Sequence, residues 1–114
     1  MRIRVIAESP EDFARWQQKQ RAPLVGAAAG QQIFVKYACN SCHAVSTTGA
    51  RVAPDLTHVG DRQTLGAGVL ENNPANLALW LKDPQAIKPQ CNMPSFNLSP
   101  QDLASLVDYL EGRP

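Results

Sequence analysis

Gly30-Gln31-Gln32-Ile33-Phe34-Val35-Lys36-Tyr37-Ala38-Cys39-Asn40-Ser41-Cys42-His43 is the stretch from which the rest of the chain can be read. Gly30, Ile33, Phe34 and Tyr37 recur at i, i+3, i+4 and i+7, which is one face of a helix beginning near Ala27. That helix runs directly into two cysteines separated by two residues, with a histidine immediately after the second. The spacing puts two thiols and an imidazole on a single turn of chain.

A Cys-x-x-Cys-His run is the attachment signature of c-type haem. Two thiols so spaced reach the two vinyl groups on one edge of a porphyrin and form thioethers, and the next residue sets its imidazole under the iron. Two rival chemistries also use paired cysteines. A redox dithiol belongs in a βαβ context, which is missing here. A structural zinc needs four ligands, and Cys91 and His58, which could be drafted, show no paired spacing. One covalent haem, held by Cys39, Cys42 and His43, is therefore expected. Cys91 is left over, so the three cysteines make no disulfide framework.

If the iron transfers electrons it needs a sixth ligand, for which His58, Met93 and Met1 are the candidates. Met93 lies in Asn92-Met93-Pro94, within a proline-rich loop that offers no helical face to pack. It therefore reads as a ligand rather than as a core filler, and a thioether favours ferrous iron and raises the potential. His58 reads as a loop residue. The expected metal ligands are His43 and Met93.

Working outward, residues 2–7 alternate polar and apolar like a strand. Ser9-Pro10-Glu11-Asp12 opens a helix with Ser9 as its cap, Phe13, Trp16 and Gln17 share a face, and residues 18–23 read as a polar linker. One strand and one helix cannot bury a core, so this segment reads as the end of another domain. Its strand should find a pairing partner, and Phe13 and Trp16 should be partly buried. Beyond the cysteines comes a loop with Gly49 and Pro54, then a short helix over residues 64–70. Asn73-Pro74 opens a helix carrying Leu77, Trp80 and Leu81, and Asp83-Pro84 stops it. Residues 84–98 read as loop, and Ser99-Pro100-Gln101-Asp102 caps a last helix with Leu103, Leu106, Val107 and Leu110 before Gly112. The result is an all-α domain whose long loops wrap something.

The composition agrees with this. Of 114 residues, 44% are hydrophobic and 18% charged, with a net charge of +1. Residues 1–23 carry five basic and three acidic groups, and residues 24–114 six basic and seven acidic. There is no basic stripe to neutralise phosphates, which argues against a nucleic acid partner. The longest weakly polar stretch, residues 22–30, is too short to cross a bilayer. No targeting segment is visible.

Residues 27–114 resemble a class I cytochrome c. Gly30 and Phe34 match the small–aromatic pair of that family's first helix, and Leu106 and Tyr109 match the positions that pack against it from the last. Pro54, in Ala53-Pro54-Asp55-Leu56, matches the proline whose carbonyl accepts the axial histidine's second N–H. That bond would fix the ring of His43 and raise its basicity. Arg62 and Trp80 match positions that donate hydrogen bonds to haem propionates; without the resemblance they read as a solvated arginine and a core tryptophan. The runs Ala53-Pro54-Asp55-Leu56-Thr57-His58-Val59-Gly60-Asp61-Arg62 and Leu81-Lys82-Asp83-Pro84-Gln85-Ala86-Ile87-Lys88-Pro89 further resemble the cytochrome c domain in subunit II of bacterial caa-type haem–copper oxidases.

That resemblance implies a class I cytochrome c fold with an N-terminal strand-plus-helix extension. Residues 1–23 would be the tail of a copper-binding cupredoxin domain plus a linker, and residues 24–114 the cytochrome c domain. It also implies single-electron transfer, from a soluble donor protein to the copper centre of the same oxidase subunit, with no catalysis by the domain itself. The site would be periplasmic or on the outer face of the membrane, the chain a soluble fragment, and its membrane contact only through the parent complex. A free-standing diffusible cytochrome is the first alternative, and a haem sensor or peroxidase with an open iron site the second. A thiol at Cys91, two residues from the expected ligand, departs from the family pattern.

Overall fold

The first helix begins where its capping residues require. In the computed structural model, which describes residues 5–21 and 28–113, the Asp12 backbone N–H donates to Ser9 Oγ at 3.1 Å and Ser9 Oγ donates to the Asp12 carboxylate at 2.7 Å. Helix α1 spans Pro10–Arg21, so the stretch from Gln18 to Arg21 is helical rather than linker. Lys19 and Arg21 sit in its last turn, where cations favour the negative end of the helix dipole. The remainder of the expected linker and the helix start near Ala27 lie outside the described residues.

Helix α1 buries none of its residues. Phe13 and Trp16 stack on each other with ring centroids 5.6 Å apart, each about half exposed, at 49% and 47%. The strand expected over residues 2–7 lies partly outside the described residues. Its described part is in no strand, and Val5 and Ile6 are exposed. A ladder without a neighbouring strand has nothing to hold it extended. Helix α1 is tied to the rest by an ion pair, Lys19 Nζ to Asp61 at 2.7 Å.

Helix α2 spans Ala28–Lys36 and helix α5 spans Pro100–Glu111. They cross at Gly30, where a Cβ would come within 2.2 Å of Tyr109 Cβ and 2.4 Å of the Ser105 carbonyl oxygen. A bare backbone is needed for this approach. Phe34 and Tyr109 then pack against each other, their rings tilted by 52° with centroids 5.9 Å apart. At the edge of the crossing Asp102 accepts from Lys36 Nζ and from the Tyr37 hydroxyl, both at 2.8 Å. Ser99 caps α5 as its sequence indicates, accepting from the Asp102 N–H, and Gly112 ends it.

Helix α3 spans Pro74–Lys82 with Asn73 as its cap, and buries Leu77 and Leu81. Two expectations change around it. Residues 64–70 are not a helix: β1 (Thr64–Leu65) and β2 (Leu70–Glu71) pair antiparallel, Leu65 opposite Leu70. Gly66, Ala67 and Gly68 between them have φ of 60°, 64° and 91°, and a run of left-handed residues cannot propagate a right-handed helix. Residues 84–98 are not all loop, because helix α4 (Pro84–Ile87) makes one turn there. Asp83 caps it and Pro84 is buried at its first position. One turn is too short for hydrophobic periodicity to register, though Asp-Pro is itself a start signal.

The fold is mostly helical, as the class I cytochrome c reading requires. Its core joins Phe34 of α2 and Leu77 and Leu81 of α3 to Leu106, Val107, Tyr109 and Leu110 of α5, with Val45, Val59 and Leu65 from the loops and hairpin. Among the described residues no helix is long and apolar enough to cross a membrane.

Candidate functional site

Ala38 adopts a left-handed conformation, φ 55° and ψ 26°, and turns the chain sharply after α2. A 3₁₀ turn, Cys39–Ser41, follows, and the His43 N–H donates to the Cys39 carbonyl at 2.9 Å. The turn packs Cys39 partly buried against the core and leaves Cys42 exposed. Both are free thiols, and burial pushes the Cys39 thiol above its usual range.

The following loop folds back over the cysteines, where the carbonyls of Asn40, Cys42 and Ala44 need donors. Ala50 N–H donates to Asn40 O, Ala53 N–H to Cys42 O and Leu56 N–H to Ala44 O, each at 2.9 Å. The Ser46 N–H donates to Thr57 Oγ1 at 2.7 Å. These bonds bring the Pro54 carbonyl to 2.7 Å from His43 Nδ1. A carbonyl only accepts, so Nδ1 carries the proton and the Nε2 lone pair is left for another partner. Burial pushes the Asp55 carboxyl up, but hydrogen bonds from Thr57 and the charges of Arg51 and Arg62 outweigh it and hold the group below its ordinary value.

Met93 and Trp80 are partly buried and pack against the same core as Cys39. Residues from three segments far apart in sequence thus pack, with Ile33, Leu56 and Leu98, against one apolar core. The Trp80 ring lies over Gly66, where a Cβ would be 2.9 Å from Cζ3. Two free thiols one turn apart, an imidazole with its Nε2 lone pair available, a thioether and an apolar bed are the donor set and surroundings that a covalent haem requires. The residues present fit that group.

Three candidates remain: Arg62, His58 and Met1. Arg62 and His58 line a recess of about 520 Å³ shared with Trp16, Gln20, Thr57 and Asp61, on the side that faces α1. Arg62 is exposed and donates to the Asp55 carbonyl. Met1 is outside the described residues. Among the described residues no three side chains of His, Cys, Asp or Glu gather as a metal-binding group, so the four-ligand zinc arrangement has no counterpart there. Gln85 goes unnoticed in the sequence. Its side-chain amide binds the loop that carries Met93, and the Asp83-Pro84 cap was the signal that could have placed it on a helix.

Comparison with known proteins agrees with this geometry. The sequence model of cytochrome c matches residues 27–113. Cytochrome c oxidase subunit 2 of Alkalihalophilus pseudofirmus is 34% identical over an alignment of 116 positions, covering 96% of this chain and 34% of that protein. The Bacillus subtilis protein of the same name is 36% identical over 124 positions, covering 98% of this chain and 35% of its own length. A nitric oxide reductase component from Halomonas halodenitrificans is 33% identical over 84 positions, covering 73% of this chain and 55% of that protein. The chain spans about a third of the length of the oxidase subunits it matches. Family membership implies a covalently held haem c and a role in electron transfer. With helices crossing at Gly30, His43 fixed on Pro54 and a family match over residues 27–113, the chain belongs to the cytochrome c family.

Proposed function

We propose that the chain carries one haem c, which Cys39 and Cys42 would hold through thioethers and whose iron His43 and Met93 would ligate. It relays single electrons from a soluble donor protein to the copper centre of a respiratory oxidase. The observation that carries the haem assignment is the 2.7 Å hydrogen bond from His43 Nδ1 to the Pro54 carbonyl. It presents the free nitrogen of the imidazole one residue after two free thiols. When bound, the group supplies a one-electron couple at iron.

The protein's part is to hold that couple still. Pro54 fixes the imidazole plane, so the ligand does not turn when the charge changes. With haem bound, Met93 and His43 would leave the iron closed to substrates, and no general acid or base is assigned. Trp80 and Arg62 are assigned to the haem propionates. The exposure of Cys42 supports electron exchange at the thioether edge.

The oxidase assignment is supported by the reach of the alignments. Matches to oxidase subunit 2 span 96% and 98% of the chain and so extend beyond residues 27–113. The match to the nitric oxide reductase component spans 73%. On this reading residues 1–23 close a copper-binding domain, residues 24–114 are the cytochrome domain, and both lie on the periplasmic side.

Two measurements test the assignment. Haem absorbance should stay with the polypeptide after denaturation and acid–acetone extraction; extractable haem would refute the thioethers. Met93→Ala should abolish the sulfur-to-iron charge-transfer band and lower the potential, because the soft donor is lost. An unchanged spectrum in that variant would transfer the role to His58.

A further inference from the structure

The loop Cys91–Ser95 contains the proposed distal ligand and has no helix or ladder of its own. It is suspended from α4 instead. Gln85 Nε2 lies 2.6 Å from the Cys91 carbonyl oxygen and 2.8 Å from that of Met93. A side-chain amide has two N–H donors, so each carbonyl takes one; Cys91 Sγ, at 3.2 Å, is the more distant third acceptor. On the far side of Met93, Ser95 Oγ donates to Asp83 Oδ1 at 2.7 Å. Asp83 and Gln85 belong to one rigid piece, since the Asp83 side chain caps α4 and Pro84 anchors it in the interior.

We propose that Gln85 is a positioning residue for the distal ligand: its amide clamps the backbone on either side of Asn92 and so sets how firmly Met93 presents its sulfur to the iron. This rests on Met93 being the distal ligand. The clamp acts on peptide carbonyls, so its effect is on how often the loop swings away and not on the chemistry of the thioether. A loop that opens more often exposes the iron to competing ligands in proportion to the population of the open state.

The test uses the haem-loaded protein and cyanide as the competing ligand. Gln85→Leu removes both donors at similar size, and Gln85→Glu replaces them with a carboxylate that repels the two carbonyls. Both variants should keep the sulfur-to-iron band at neutral pH without cyanide. Both should bind cyanide at least about tenfold more tightly than the wild type, equivalent to about 1.4 kcal/mol of lost closure, and Gln85→Glu should show the larger effect. Met93→Ala is measured alongside. If Met93→Ala loses the band while both Gln85 variants bind cyanide like the wild type, Met93 is the ligand and the clamp is refuted. If Met93→Ala keeps the band, the ligand assignment falls and the proposal falls with it. If Gln85→Leu does not retain folded, loaded protein, Gln85→Glu, which keeps the length and polarity of the side chain, decides by the same cyanide affinity.

Discussion

At the scale of single residues, one costly backbone choice in the site is Ala38. A left-handed conformation costs an alanine about 1–2 kcal/mol, and here it buys the sharp turn that separates α2 from the cysteines. Glycine would adopt it freely but would lose about 0.4–1 kcal/mol through the entropy of the unfolded chain. Ala38→Gly should therefore raise stability by up to about 1.6 kcal/mol and leave the absorption spectrum unchanged, as measured by denaturant unfolding with haem bound. Ala38→Val should fall well below the wild type in the same assay, because β-branched residues tolerate positive φ poorly. Ala38 was illegible in the sequence, since nothing about an alanine before a cysteine announces φ. Cys39, Cys42 and His43 could be read because their chemistry depends on spacing along the chain. Gln85 could not, because its hydrogen bonds are to backbone groups six and eight residues away.

At the scale of elements, the crossing of α2 and α5 depends on Gly30. Gly30→Ala places a methyl carbon against Tyr109 Cβ and the Ser105 carbonyl, and neither can move without shifting α5. We expect a loss of about 1–3 kcal/mol, read as a lower thermal midpoint. Asp102 ties the same two helices electrostatically: hydrogen bonds from Lys36 and Tyr37 hold its carboxyl below the ordinary value. A depressed folded-state value stabilises the fold above the unfolded carboxylate's value of about 3.9, and that contribution disappears as pH falls through the folded value. Asp102→Asn should therefore melt lower than the wild type at neutral pH, and the gap should close below about pH 4. A gap independent of pH would mean that the carboxylate charge is not what matters. The long amphipathic helices and their caps, Ser9, Asn73 and Ser99, were legible because period and cap act locally. The hairpin at residues 64–71 was misread as helix because three consecutive positive φ values decide it, and one of them belongs to an alanine. Helix α4 was too short to show a period.

At the scale of the whole molecule, α1 is attached to the cytochrome unit by surface contacts. It buries no residue, and its ion pair to Asp61 joins side chains 49% and 30% exposed. A pair of that kind contributes about 0–1 kcal/mol. Deleting residues 1–20 should leave the haem spectrum and the potential nearly unchanged and move the melting temperature little. Loss of the Met93 band on deletion would instead make α1 part of the cytochrome fold. Trp16 and Trp80, the chain's two tryptophans, fall on opposite sides of this division. Trp80 packs against the same core as Met93, and an iron porphyrin bound there would drain its excited state by energy transfer. Trp16 is about half exposed on α1, stacked on Phe13. Trp80 should thus be dark in the haem-loaded native protein and brighten only when the cytochrome unit opens. A single fluorescence record during unfolding would then time the opening of the cytochrome unit by its brightness, with no added label.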